Sequence, residues 1–168
     1  MHSCGIVHGD IKASNVLVSD DFHILLCDFG LSKQSGTDTM ARLKGFGTVR
    51  WQSPELINGA SKTFQSDVYA FGITIAEAST LFQCENPELG THIWLNQILS
   101  GRTPYPHIKA DITVMMEVCS RNQRPSREPE AAPDGTSYRR VWRVAERCWP
   151  TNPAERISMN QAYAELSG

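Results

Sequence analysis

Two short apolar runs, Val16-Leu17-Val18 and Ile24-Leu25-Leu26-Cys27, are separated by the turn-forming residues Ser19-Asp20-Asp21, a pattern that predicts a β-hairpin. The apolar segment Ser66 to Ala78 differs in kind. Its residues Val68, Phe71, Ile73, Ile75 and Ala76 leave no wholly polar face, as expected of a helix buried on several sides. Asp67 at its start would be costly to bury without partners. Near the end, Ser158-Met159-Asn160-Gln161 reads as a capping box, and Met159, Ala162, Tyr163 and Leu166 give the following helix an apolar stripe. Polar stretches between these elements predict loops: Gly30 to Gln52, with Ser32, Ser35, Thr37 and Thr39 close together, and Arg124 to Ser137, rich in Pro, Arg, Glu and Ala.

Composition narrows the picture. A chain of 168 residues with 40 % hydrophobic content and a net charge of −2 can form one globular domain with a modest core. It has no basic stripe, so nucleic acid is not an expected partner. No apolar run approaches the roughly 20 residues needed to cross a bilayer, and the N-terminus lacks a signal-peptide pattern; a soluble, cytoplasmic protein is expected. Cys4, Cys27, Cys84, Cys119 and Cys148 are scattered without CxxC or Cys/His pairing, which argues against a disulfide framework and a zinc site and for free buried thiols.

The chemistry-bearing residues sit early. In His8-Gly9-Asp10-Ile11-Lys12-Ala13-Ser14-Asn15, Asp10 and Asn15 are spaced so that one loop can aim a carboxylate at an incoming hydroxyl and an amide oxygen at a metal. Lys12 between them can face a transferring phosphoryl group, and Asp28, before Phe29-Gly30, can supply a second metal ligand. Taken singly these residues say less: Asp-Phe-Gly is common turn chemistry, and a lone His8 reads as a satisfied core histidine.

As an ordered set they resemble the catalytic loop and the Asp-Phe-Gly motif of eukaryotic protein kinases. Gly47-Thr48-Val49-Arg50-Trp51-Gln52-Ser53-Pro54-Glu55 resembles the end of the activation segment, with Ser53 where Ala is usual. Asp67-Val68-Tyr69-Ala70-Phe71-Gly72 resembles the start of the central helix, and Arg124-Pro125, Cys148-Trp149 and Asn152-Pro153-Ala154-Glu155-Arg156 resemble later landmarks. The resemblance implies an α+β, protein-kinase-like fold, of which this chain is the mainly α-helical large lobe with a short hairpin between the catalytic motifs. Residues 1–168 would be a partial kinase domain: catalytic loop 8–15, activation segment 28–55, central helix 66–78, insertion 78–97 and helical subdomain 98–168.

The same resemblance implies ATP and Mg²⁺ as cofactors and a protein substrate. Asp10 and Lys12 would be catalytic; Lys12, Asn15, Leu17 and Asp28 would bind the nucleotide, with Asn15 and Asp28 on the metal. Leu17 would floor the adenine site, although a plain core role fits it equally. His8 and Phe29 would join an apolar stack, Asp67 would accept from the catalytic-loop backbone, and Glu55 would pair with Arg156. Lys12, with Thr48 bridging it to Asp10, resembles serine/threonine kinases of the tyrosine-kinase-like group. Gly9 replaces the arginine that anchors activation-segment phosphates in many kinases, so phosphorylation there is not the expected main switch, and the four hydroxyls fit an ordinary solvated loop as well.

Two departures shape the functional expectation. A glycine-rich loop, a Val-Ala-Ile-Lys strand, a partner Glu helix and a hinge are absent before Met1, so the isolated chain is expected to be inactive. Residues Ala78 to Gln97, with the helix breakers Pro87 and Gly90, interrupt the family pattern, as a surface insertion or as a gene-model error. The alternatives are a catalytic lobe within a longer enzyme and a non-catalytic lobe that binds proteins.

Overall fold

The computed structural model describes residues 1–21, 23–37, 48–79, 103–126 and 136–167. The predicted hairpin forms: strands β2 (Val16–Val18) and β3 (Ile24–Leu26) pair antiparallel, with Val16 opposite Leu26 and Leu17 opposite Leu25. A second two-stranded pair was not anticipated. Strand β1 (Ile6–Val7) aligns with β4 (Lys33–Gln34), so the start of the stretch read as a loop is partly strand, secured further by the Ser35 amide on the Gly5 carbonyl. Residues 38–47 of that stretch, including Thr39 and Gly47, lie outside the described residues.

Helix α1 (Pro54–Ile57) follows a 3₁₀ turn at Val49–Trp51, and helix α2 (Phe64–Ser79) is the centre of the molecule. Helix α2 begins before the expected Ser66. Thr63 caps it: its hydroxyl accepts from the Ser66 amide at 3.2 Å, while the Ser66 hydroxyl accepts from the Thr63 amide at 2.9 Å. Val68, Tyr69, Ile73 and Ala76 are all buried along it, as a helix packed on several sides requires. Residues 80–97 of the expected insertion lie outside the described residues, and Ala78 and Ser79 belong to α2.

Helices α3 (Asp111–Ser120), α4 (Thr136–Cys148) and α5 (Met159–Ser167) follow among the described residues. The expected loop through Ser137 ends earlier, because α4 starts at Thr136; residues 127–135 lie outside the described residues. Helix α4 lies close against α2 at Gly72, where an added Cβ would stand 2.7 Å from Cys148 Cβ. Trp142 and Trp149 meet edge to face, 5.7 Å between ring centroids, in the same core. The capping box of α5 is closed in both directions, Gln161 N to Ser158 Oγ and Ser158 N to Gln161 Oε1. Ala162 is buried, but Tyr163 is 72 % exposed and does not belong to the packed stripe. Of the described cysteines, Cys148 is buried, Cys4 is exposed, and Cys27 and Cys119 are intermediate; Cys84 lies outside the described residues.

A smaller core of Tyr105, Val114 and Val118 sits under α3. Arg50 straps the 3₁₀ turn to this subdomain, donating to the carbonyls of Pro104, Tyr105, Ile108 and Lys109 and to Asp111 Oδ1 at 2.8 Å. Arg156 and Glu55 form the expected pair, described below, which ties α1 to the segment before α5.

Candidate active site

The loop from His8 to Asn15 runs along α2 and is held by two carboxylates of that helix. Asp67, 1 % exposed, accepts the His8 amide at 2.7 Å and the Gly9 amide at 2.8 Å, with His2 Nε2 3.0 Å from Oδ2. Three donors around one buried carboxylate supply what its lost hydration would have given. Ten residues further along the helix, or about 15 Å at 1.5 Å per residue, Glu77 Oε2 accepts the Ala13 amide at 3.1 Å and Trp51 Nε1 at 2.9 Å. Burial pushes the Glu77 pKa up despite those bonds. The loop is thereby pinned at both ends to one rigid element.

His8 is fully buried and structural. Its Nδ1 accepts the Asp10 amide at 3.3 Å, which leaves Nε2 protonated to donate to the Cys27 carbonyl at 3.1 Å. Ser32 Oγ donates to the His8 carbonyl, and the Phe29 ring lies 5.2 Å from the imidazole, its other face half exposed.

Asp10 stands at the centre of a polar ring. Lys12 Nζ lies 2.8 Å from Asp10 Oδ2 and donates to Thr48 Oγ1 at 2.7 Å; Thr48 in turn donates its amide and hydroxyl to Asp10 Oδ1, both at 3.2 Å. Thr48 therefore bridges the two residues as expected. Burial alone would raise the Asp10 pKa, but the bond and charge of Lys12 and the two Thr48 bonds outweigh it and hold the carboxyl below its ordinary range. Asn15 Nδ2 donates to the Asp10 carbonyl at 2.8 Å and to Oδ2 at 3.2 Å.

Asp28 is brought near by the backbone. The Cys27 amide donates to the Asn15 carbonyl across the hairpin, and Asp28 adopts φ 60° and ψ 72°, a left-handed conformation its carboxylate supports by accepting from the Gly30 amide at 3.3 Å. Among the described residues no hydrogen bond joins the Asp28 carboxylate to Asp10, Lys12 or Asn15. Leu17 and Leu25, opposite each other on the hairpin, are 46 % and 52 % exposed, so Leu17 is not a plain core residue.

The donor set suits a magnesium–nucleotide complex. Asn15 commits its amide nitrogen to Asp10, which would leave its oxygen for a metal ion, and Asp28 is exposed. Two hard oxygen ligands without a full protein cage match an ion that keeps water and phosphate in its shell. Lys62, which the sequence pattern did not single out, is buried beside Gly9. A lysine in a loop carries no motif, and only the space over Gly9 reveals it.

The sequence profile described as protein tyrosine and serine/threonine kinase matches residues 1–166. A probable serine/threonine-protein kinase of Dictyostelium discoideum is 32 % identical over 161 residues, covering 96 % of this chain and 14 % of that protein. A serine/threonine/tyrosine-protein kinase of Arabidopsis thaliana is 29 % identical over 168 residues, 99 % of this chain and 35 % of its own. Tyrosine-protein kinase Srms of Homo sapiens is 32 % identical over 148 residues, 86 % of this chain and 29 % of its own. The chain thus spans from 14 % to 35 % of the length of these relatives.

Proposed function

This chain belongs to the protein kinase family, and from that premise we propose that it supplies the catalytic lobe of an enzyme that phosphorylates serine and threonine hydroxyls of proteins, with ATP as donor and Mg²⁺ as cofactor. The observation that carries the reading is the closed ring of Asp10, Lys12 and Thr48. Asp10, kept ionised by its neighbours, orients the incoming hydroxyl and accepts its proton. Lys12 neutralises charge on the phosphoryl group in transfer. Asn15 and Asp28 hold the metal, and Leu17 packs under the base. Mg-ATP, when bound, supplies the phosphoryl group and part of the charge neutralisation. The Thr48 bridge supports a serine/threonine acceptor, and a small lobe beyond these residues completes the nucleotide site. The assigned setting is the cytoplasm; no helix among the described residues is long and apolar enough to cross a membrane.

The test is transfer from radiolabelled Mg-ATP to a general protein acceptor by a polypeptide that includes a small lobe, followed by phosphoamino-acid analysis. Phosphoserine or phosphothreonine that disappears in Asp10→Asn is the expected result. Phosphotyrosine alone would refute the acceptor class. A folded protein that neither binds Mg-ATP nor transfers phosphate would return the chain to the alternative, a non-catalytic lobe that binds proteins.

A further inference from the structure

Gly9, the residue before Asp10, has φ +83°, and a Cβ built on it would stand 2.7 Å from the Leu31 carbonyl oxygen, 2.8 Å from Lys62 Cδ and 3.3 Å from Lys62 Nζ. The room that a side chain at position 9 would take is therefore filled from elsewhere, by a lysine arriving from the segment between α1 and α2. Lys62 is 4 % exposed, too buried to reach a partner in solvent. Burial draws its pKa down and Lys33 adds to the lowering, while the charges of Asp10 and Asp67 oppose it without restoring the ordinary value.

We propose that Lys62 is the positioning cation of the catalytic loop: its stem packs over Gly9 and its ammonium balances Asp10 and Asp67, holding both carboxylates in one loop geometry. The inference rests on the reading of Asp10 as the base. Asp10 and Asp67 are joined through the backbone of residues 8–10, and Asp67 is almost wholly enclosed. Like charges brought together in a low-dielectric setting push one another apart or towards neutrality unless a cation is shared between them. Lys12 serves the face of Asp10 turned towards Thr48, and His2 meets Asp67 from the N-terminal turn. Lys62 Nζ reaches the loop at Gly9, the residue whose amide Asp67 holds and which precedes Asp10. An arginine at position 9 could reach out to a phosphate on a neighbouring segment, whereas a buried Lys62 is committed to the loop. The loop thereby carries its own cation.

Lys62→Met keeps the stem and removes the charge. In a polypeptide with a small lobe, kcat should fall by about tenfold to a hundredfold, as expected of a misplaced catalytic group. KM for ATP should stay within about twofold, and the variant should remain folded at the assay temperature, so that the loss of kcat exceeds any loss of folded protein. Lys62→Gln, which keeps a polar head, should show the same split and covers the case in which Lys62→Met does not fold. Parental kcat in a folded variant, or a loss of kcat matched by a loss of folded protein in both variants, would overturn the proposal. Should the parent transfer no phosphate, the fault lies with the assigned function, and amide exchange on the chain itself decides the positioning role. The His8 and Gly9 amides should exchange at least about tenfold faster in the variant through local opening, and unchanged protection would refute it.

Discussion

Glu55 and Arg156, 101 residues apart, form a two-bond pair with Nη1 to Oε1 at 2.6 Å and Nη2 to Oε2 at 2.7 Å. The arginine side chain is fully buried and the glutamate side chain 21 % exposed, so breaking the pair strands a charge rather than releasing it to water. Losing one partner of such a pair costs about 3–5 kcal/mol, and the structure orders the two single variants within that range. In Glu55→Gln the guanidinium keeps the carbonyls of Gln65, Pro150 and Thr151, which points to the lower end, about 3 kcal/mol. Arg156→Met strips those three carbonyls of their donor and removes a cation stacked 5.0 Å from the Tyr69 ring, which points to about 5 kcal/mol. At about 2–4 °C per kcal/mol for a chain of this size, the melting temperature should drop by about 6–12 °C and 10–20 °C respectively. Urea unfolding at neutral pH, with the slope compared between variants, is the assay. Acid titration adds a sign. Burial raises the Glu55 pKa, but the hydrogen bonds and charge of Arg156, together with hydrogen bonds from Ser53 and the backbone, outweigh it and hold the carboxyl below its ordinary range. The pair's contribution is therefore present above the unfolded-state value and is lost as pH falls through the folded one. The parent should lose stability more steeply than Glu55→Gln in that acid window. Costs below about 1 kcal/mol, which is what an exposed pair contributes, a larger loss for Glu55→Gln than for Arg156→Met, or parallel acid slopes would refute the reasoning.

Asp10→Asn should lower kcat by about 10²–10⁴-fold while Mg-ATP affinity, read by calorimetry, is retained; unchanged turnover would remove Asp10 from its role. Thr48→Val keeps the amide that donates to Asp10 but deletes the hydroxyl bridge to Lys12, so kcat should drop by about tenfold, with Thr48→Ser restoring it. Gly72→Ala places a methyl 2.7 Å from Cys148 Cβ and 3.0 Å from the Ala145 carbonyl, and should cost about 1–3 kcal/mol in urea unfolding through a forced separation of α2 and α4. An unchanged midpoint would mean that the helices yield more easily than their packing indicates.

Features whose cause is local were legible in the sequence. The hairpin follows from two apolar runs about a polar turn, and the α5 cap from Ser158 and Gln161 at the spacing where each side chain meets the other's amide. Three long-range contacts were also legible, because each joins residues that carry motifs: Asp67 to the loop amides, Thr48 to Asp10 and Lys12, and Glu55 to Arg156. The unread features lack such markers. The β1–β4 pairing is made by backbone groups of Ile6–Val7 and Lys33–Gln34, whose side chains announce nothing. Thr63 caps α2 with a serine where a glutamate would have made a recognisable box. Tyr163 is apolar by composition yet faces outward, since a periodic pattern does not specify how wide a stripe the neighbouring helix covers.

The bonds from His8 and Gly9 to Asp67 have a consequence for the order in which the molecule acquires its parts. The loop and its anchor are separated by 59 and 58 residues, so no local interaction among residues 8–15 substitutes for the carboxylate. Closing so long a stretch of chain is entropically slow, and contacts of that separation are won late. During synthesis the loop of residues 8–15 emerges well before α2 exists to receive it, and the two peptide amides remain hydrated until Asp67 arrives with the folded helix. The geometry of the loop is thus acquired with the closing of the core rather than with the loop residues themselves.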